Sequence, residues 1–69
     1  MTAIKTLTIN ETIERLRANG LMIGPEVLAL GLEQGVFPFG VVVQSKNRKP
    51  FIFERLLDEW IAARAVEVN

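Results

Sequence analysis

The stretch that most constrains the fold is the corner at residues 33–40, with the sequence EQGVFPFG. Gly35 suits the left-handed position that follows the end of a helix. Pro38 fixes its own φ and pushes Phe37 towards an extended conformation. The corner therefore predicts a helix that ends and a β-hairpin that begins. Phe37 and Phe39 are expected on the same side of the extended chain, packed against the core.

The first helix is predicted over about residues 9–19. Thr8 and Glu11 have the spacing of a capping box at its start, and an Asn-Gly pair marks its end. Arg15 is expected to pair with Glu11 on the outer face. An apolar turn at residues 21–23 is expected to pack down and to join this helix to the next, as in a helix-turn-helix. The buried stripe of the first helix is Ile9, Ile13 and Leu16.

The second helix is predicted from Pro25 to about Gln34, because proline suits the first helical position. Residues 27–32 contain no polar side chain, so a single buried stripe does not account for all of them. Something beyond the intramolecular core is therefore expected to cover Ala29 or Leu30. Gly31 costs about 1 kcal/mol relative to alanine inside a helix, and we expect it to permit close approach of the first helix's backbone.

The rest of the chain predicts a hairpin followed by a third helix. Residues 41–44 and 51–53 are rich in β-forming side chains and flank a polar loop. Residues 54–65 form an amphipathic helix. The predicted fold class is α+β, a small winged helix-turn-helix domain with three helices and a two-stranded hairpin, spanning residues 1–69. Its expected core is Ile9, Ile13, Leu16, Val27 or Leu28, Phe37, Phe53, Leu56, Leu57 and Trp60.

The composition argues against catalysis and metal binding. The 69 residues include no cysteine, histidine or tyrosine, which excludes thiolate ligands and the usual zinc sites. Asp58 and Glu59 are adjacent on the third helix, so they point in different directions and are read as a solvated face. We expect no enzyme activity, no cofactor and no metal. Without a signal-peptide pattern or a membrane-length apolar run, the expected location is the cytoplasm, with no membrane partner.

Charge is unevenly distributed along a chain whose net charge is zero. A short hairpin-loop stretch contains Lys46, Arg48 and Lys49 and no acid. These cations suit phosphate neutralisation, while Ser45 and Asn47 can donate hydrogen bonds to phosphate oxygens. Three neutralised phosphates would contribute about −2.7 to the logarithmic salt slope of binding. The alternative interpretation is an ordinary solvated hairpin tip.

In its order of elements the chain resembles the excisionase-type winged helix-turn-helix domains of phages and mobile elements, relatives of the DNA-binding part of the MerR regulators. Three stretches carry the resemblance: residues 7–13 (LTINETI), 33–38 (EQGVFP) and 51–61 (FIFERLLDEWI). The resemblance implies that the second helix enters the major groove of double-stranded DNA. It also implies that the hairpin is a wing lying along the phosphate backbone.

The resemblance assigns DNA contacts to two sets of residues. The first set is the wing tip, residues 45–49: Ser45, Lys46, Asn47, Arg48 and Lys49. The second and weaker set lies on the second helix: Glu26, Ala29, Leu30 and Glu33. Family members commonly carry arginines at the positions that match Leu30 and Glu33, so the sequence departs from the family there. Replacing Glu33 by glutamine is expected to raise non-specific affinity, because a negative charge beside the duplex is removed.

Two functions from different classes follow from these observations. The first is a small DNA-binding protein that acts as an architectural recombination factor or a transcriptional regulator. The alternative is a protein-interaction module that keeps the winged fold and uses the apolar face of the second helix for a partner or for self-association. Mobility shift of a random-sequence duplex at two salt concentrations separates the two.

Overall fold

The computed structural model describes residues 3–66, which form three helices and a three-stranded antiparallel sheet. The α+β class predicted from the sequence is confirmed, and each helix lies within one residue of its predicted limits. The elements in chain order are β1 (Thr6–Leu7), α1 (Ile9–Ala18), α2 (Pro25–Glu33), β2 (Gly40–Val43), β3 (Lys49–Phe53) and α3 (Glu54–Arg64).

The sheet has one more strand than the sequence predicted. Its order is β1-β3-β2, so β3 is central and pairs antiparallel with both neighbours. In β1, Thr6 pairs with Phe53 and Leu7 pairs with Ile52. Two residues are too few to show the alternation of apolar and polar side chains that marks a strand. Only the pairing of this segment with β3 identifies it as a strand. β3 also begins two residues earlier than predicted, at Lys49.

The ends of α1 and α2 are formed by local hydrogen bonds. At the start of α1, the Thr8 hydroxyl accepts from the Glu11 amide at 3.1 Å, and the Glu11 carboxylate accepts from the Thr8 amide at 2.9 Å. The bond from the Thr8 amide to the carboxylate is the largest cause that lowers the pKa of Glu11, and the nearby Thr8 side chain lowers it further. Both helices end in a Schellman motif, with Gly20 and Gly35 at φ values of 96° and 74°. The capping box and both stop signals are therefore confirmed.

The core lies between the helices and the inner face of the sheet. It consists of Leu7, Ile13, Leu16, Leu28, Leu32, Phe39, Ile52 and Leu57. The prediction that Leu56 belongs to the core is wrong, because its side chain is 42% exposed. The third helix buries only a narrow stripe through Leu57, and Leu56 lies at the edge of that stripe. Leu28 is fully buried, whereas Val27 is 59% exposed. Phe53, Ile9, Phe37 and Trp60 are only partly buried.

Three aromatic rings fix the corner between α2 and the hairpin. Phe37 stacks on Phe39 with ring centroids 5.3 Å apart, as expected of two side chains on the same side of the corner. Trp60 of α3 meets both rings edge-on, at 5.9 and 5.3 Å. The expectation for Gly31 was wrong, because a Cβ at that position would overlap the Phe37 ring rather than the backbone of α1. The glycine in α2 therefore admits the corner's own aromatic side chain.

Candidate nucleic-acid interface

The hairpin displays all five wing-tip residues on the surface. Residues 44–48 form the loop between the two strands, which we call the β2–β3 loop, and all of them are exposed. Lys49 is exposed on β3, where it pairs with Val43 of β2. The Ser45 hydroxyl donates to the backbone carbonyl of Asn47, so its proton is used within the loop. A donor to phosphate is therefore expected from Asn47 rather than from Ser45.

One wing-tip cation has a partner on α2. Nη1 of Arg48 lies 3.0 Å from Oε1 of Glu33, and Nε2 of Gln44 donates to the same oxygen at 3.4 Å. The Glu33 side chain is only 20% exposed. From the sequence, Glu33 was expected to be an unpaired negative charge beside a duplex. In the structure, Arg48 forms an ion pair with it. No local pattern signals this contact, because the two residues lie on separate elements.

The outer face of α2 is apolar. Leu30 is 51% exposed, and Val27, one turn before it, is 59% exposed. Ala29 is half-buried, while Glu26 is exposed in the first turn of the helix. Val27 was not among the predicted contact residues, although its spacing of three from Leu30 places both side chains on one face. The exposed residues of α2 are therefore Pro25, Val27 and Leu30, which are apolar, and Glu26.

The turn before α2 also exposes apolar side chains. Of its three apolar residues, only Ile23 packs against the core. Leu21 is 39% exposed and Met22 is 73% exposed, so the expectation of a fully packed turn was wrong. The turn is joined to the end of α1 by a hydrogen bond from the Leu21 amide to the Leu16 carbonyl at 2.9 Å.

Lys5, Arg15 and Arg55, which lie outside the wing, form ion pairs of their own, whereas Arg17 and Arg64 form none within the described residues. Arg15 does not pair with Glu11 as expected; its Nη2 lies 2.8 Å from Glu54 and its Nη1 lies 3.0 Å from Asp58, both on α3. On the outer face of α3, Arg55 pairs with Glu59 at 3.4 Å. Lys46 and Lys49 belong to none of the ion pairs found within residues 3–66. The wing tip thus offers two lysines whose charges are not neutralised by a neighbouring carboxylate.

Comparisons with protein-family models, curated proteins and solved structures found no match to this chain. Across residues 3–66, the helices are too short or too polar to cross a lipid bilayer. The geometry of the chain's own residues is therefore the basis for assigning a function.

Proposed function

We propose that this chain is a small, non-enzymatic DNA-binding protein of the excisionase-like winged helix-turn-helix kind, acting in the cytoplasm. In this proposal α2 faces the major groove and the β2–β3 hairpin lies along the phosphate backbone. It serves as an architectural recombination factor or a transcriptional regulator. Binding of several copies at adjacent sites offsets the weak affinity of one copy and bends the DNA.

The observation that carries the proposal is the exposed pair of lysines on the hairpin. Lys46 and Lys49 extend from an element that projects beside the end of α2, and neither charge is neutralised within the described chain. A duplex held by α2 therefore has two cations available for its backbone. Each phosphate that a lysine neutralises contributes about −0.9 to the logarithmic salt slope.

The outer face of α2 supports contact with bases through apolar groups rather than through arginine. Leu30 and Val27 are exposed side by side, and such side chains pack against the methyl group of thymine or against sugars. Glu26, exposed one turn earlier than Leu30, can accept a hydrogen bond from the amino group of cytosine. We expect these contacts to give a modest sequence preference. The wing is expected to contribute more to the DNA affinity, through electrostatic attraction to the phosphates.

The test is titration of a random-sequence duplex with wild type and Lys46→Ala/Lys49→Ala at several salt concentrations. The double variant is expected to flatten the salt slope by about 1.8, twice the contribution of one phosphate. Arg55→Ala is the matched control, because it removes an exposed cation from α3 and should leave the slope unchanged. Absence of any binding by wild type at low salt contradicts the proposal, as does an equal change in slope from the control.

The exposed apolar face of α2 favours a second candidate, a protein-interaction module. In that case Leu30 anchors an apolar interface with a partner or a second copy of the chain. Leu30→Lys would then dissociate the complex, as measured by sedimentation, while the fold stays intact. In the DNA-binding proposal, Leu30→Lys instead adds a cation beside the duplex and is expected to increase affinity. The direction of its effect on each assay separates the two candidates.

A further inference from the structure

We infer that Glu33 is a positioning residue that fixes the wing against the end of α2 by holding both sides of the β2–β3 loop. This inference rests on the proposed function, because it concerns how the wing is presented to the phosphate backbone. It assigns Arg48 to the protein's own carboxylate rather than to DNA. The wing then contacts DNA through Lys46 and Lys49.

The geometry places one oxygen between the two sides of the loop. Gln44 is the first residue after β2, and Arg48 is the last residue before β3. Nε2 of Gln44 donates a hydrogen bond to Oε1 of Glu33 at 3.4 Å, and Nη1 of Arg48 forms an ion pair with the same oxygen at 3.0 Å. A single carboxylate on α2 therefore ties the start and the end of the loop to the helix. We call this contact the Glu33 clamp.

The position of Glu33 explains why its carboxylate needs a cation. Glu33 is the last residue of α2, where the helix dipole is negative, and the last turn of α2 contains no basic residue. Its side chain is largely shielded from water, which weakens the solvation of its charge. Arg48 supplies the cation that the helix end lacks. Release of Arg48 to a phosphate would leave the Glu33 charge unpaired beside the polyanion, so the clamp is expected to persist in the complex.

The clamp has two consequences for DNA binding. Because the Glu33–Arg48 pair carries no net charge, the wing contributes about −1.8 to the salt slope rather than the −2.7 expected from three cations. Because the loop is held before DNA arrives, less conformational freedom is lost on binding.

The first test uses the free protein and the charge-neutral double variant E33A/R48A. Nitrogen-15 relaxation of the amides of residues 44–48 is expected to show greater mobility than in wild type. The matched control is R55A/E59A, which removes another neutral pair from the outer face of α3 and should leave these amides unchanged. The charge-reversed variant E33R/R48E re-forms the pair and is expected to restore the order of the loop. Equal loop order in wild type and E33A/R48A overturns the inference.

The second test is DNA affinity at about 0.15 M salt, where the Debye length is about 8 Å. E33A/R48A is expected to bind the random duplex about two- to fivefold more weakly than wild type. A change of this size corresponds to the energy that one partly exposed ion pair typically contributes. Its salt slope should equal that of wild type. If the slope flattens by about 0.9, Arg48 neutralises a phosphate itself and the inference fails. If wild type does not bind DNA, the proposed function fails, while relaxation of the free protein still decides whether the clamp exists.

Discussion

Helices α1 and α2 meet the solvent differently. The outer side of α1 carries Arg15 in ion pairs with α3, and Thr8 closes its first turn with a side-chain hydrogen bond. In contrast, α2 has Gly24 at its N-cap position and therefore no side-chain cap, and it exposes Val27 and Leu30. Both helices nevertheless bury two or more side chains in the same core.

This difference separates stability from recognition. Apart from Ala18, the exposed residues of α1 are polar, and Arg15 is paired with two carboxylates of α3, so this surface leaves little apolar area in water. The exposed side of α2 leaves apolar area in water that a partner would remove at about 25 cal/mol per Å². We therefore expect substitutions on α1 to act mainly on folding and substitutions on the outer face of α2 to act mainly on binding.

The largest expected effect comes from truncating one leucine on each helix. Leu16 is 1% exposed, so Leu16→Ala should reduce the free energy of unfolding by about 2–5 kcal/mol. Leu30 is 51% exposed, and Leu30→Ala should change it by less than about 0.5 kcal/mol. Urea unfolding measures both values. A similar loss at the two positions would show that the outer face of α2 is packed rather than exposed.

Gly31→Ala tests whether packing or helix propensity determines the effect of residue 31 on the stability of α2. Helix propensity alone predicts that alanine stabilises α2 by about 1 kcal/mol. The Phe37 ring occupies the space of the new methyl group, so we expect a net loss of about 1–3 kcal/mol instead. Thermal unfolding gives the sign directly. The matched variant Gly31→Ala/Phe37→Leu, with a smaller side chain at the corner, should lose less than the sum of its two single changes.

Opposite changes at the two helix starts sharpen the comparison further. Thr8→Ala removes the side-chain cap of α1 and should cost about 1 kcal/mol. Gly24→Ser offers a cap to α2, and it should stabilise the protein by about 0.3 kcal/mol. Nothing lies within 4 Å of a Cβ built on Gly24, so the serine meets no steric obstacle. Equal and small effects from both variants would mean that the local cap does not distinguish the helices.

The smallest expected effect is the pH dependence that the cap gives to α1. The pKa of Glu11 is lowered in the folded protein from an ordinary value of 4.5, first by the bond from the Thr8 amide. A depressed carboxyl pKa stabilises the fold above that ordinary value, and the contribution is lost as pH falls through the folded pKa. Glu11→Gln keeps an acceptor but does not titrate. The difference in free energy of unfolding between Glu11→Gln and wild type should therefore shrink as the pH falls from about 5 to about 3. A constant difference would show that the Glu11 carboxylate is not the cause of the pH dependence.

The limits of α1 and α2 were predictable because their signals are local. Proline at the first position of α2, glycine after α1 and α2, and the Thr8–Glu11 spacing each act within a few residues of the helix end that they determine. The exposed, basic character of the wing tip was predictable for a similar reason. Hairpin loops lie on the surface, and the charges of their side chains can be counted directly.

The sequence by itself thus determined the helices, the corner, the hairpin and the charge of its tip. Only the tertiary structure decided that residues 6 and 7 form a strand, that Leu56 is exposed, and that Glu33 holds Arg48. Each of these outcomes depends on which elements lie side by side. Hydrophobic periodicity identifies the apolar face of an element, but the packing of the neighbouring elements selects which part of that face is covered. Partners from separate elements become visible only when the chain is folded.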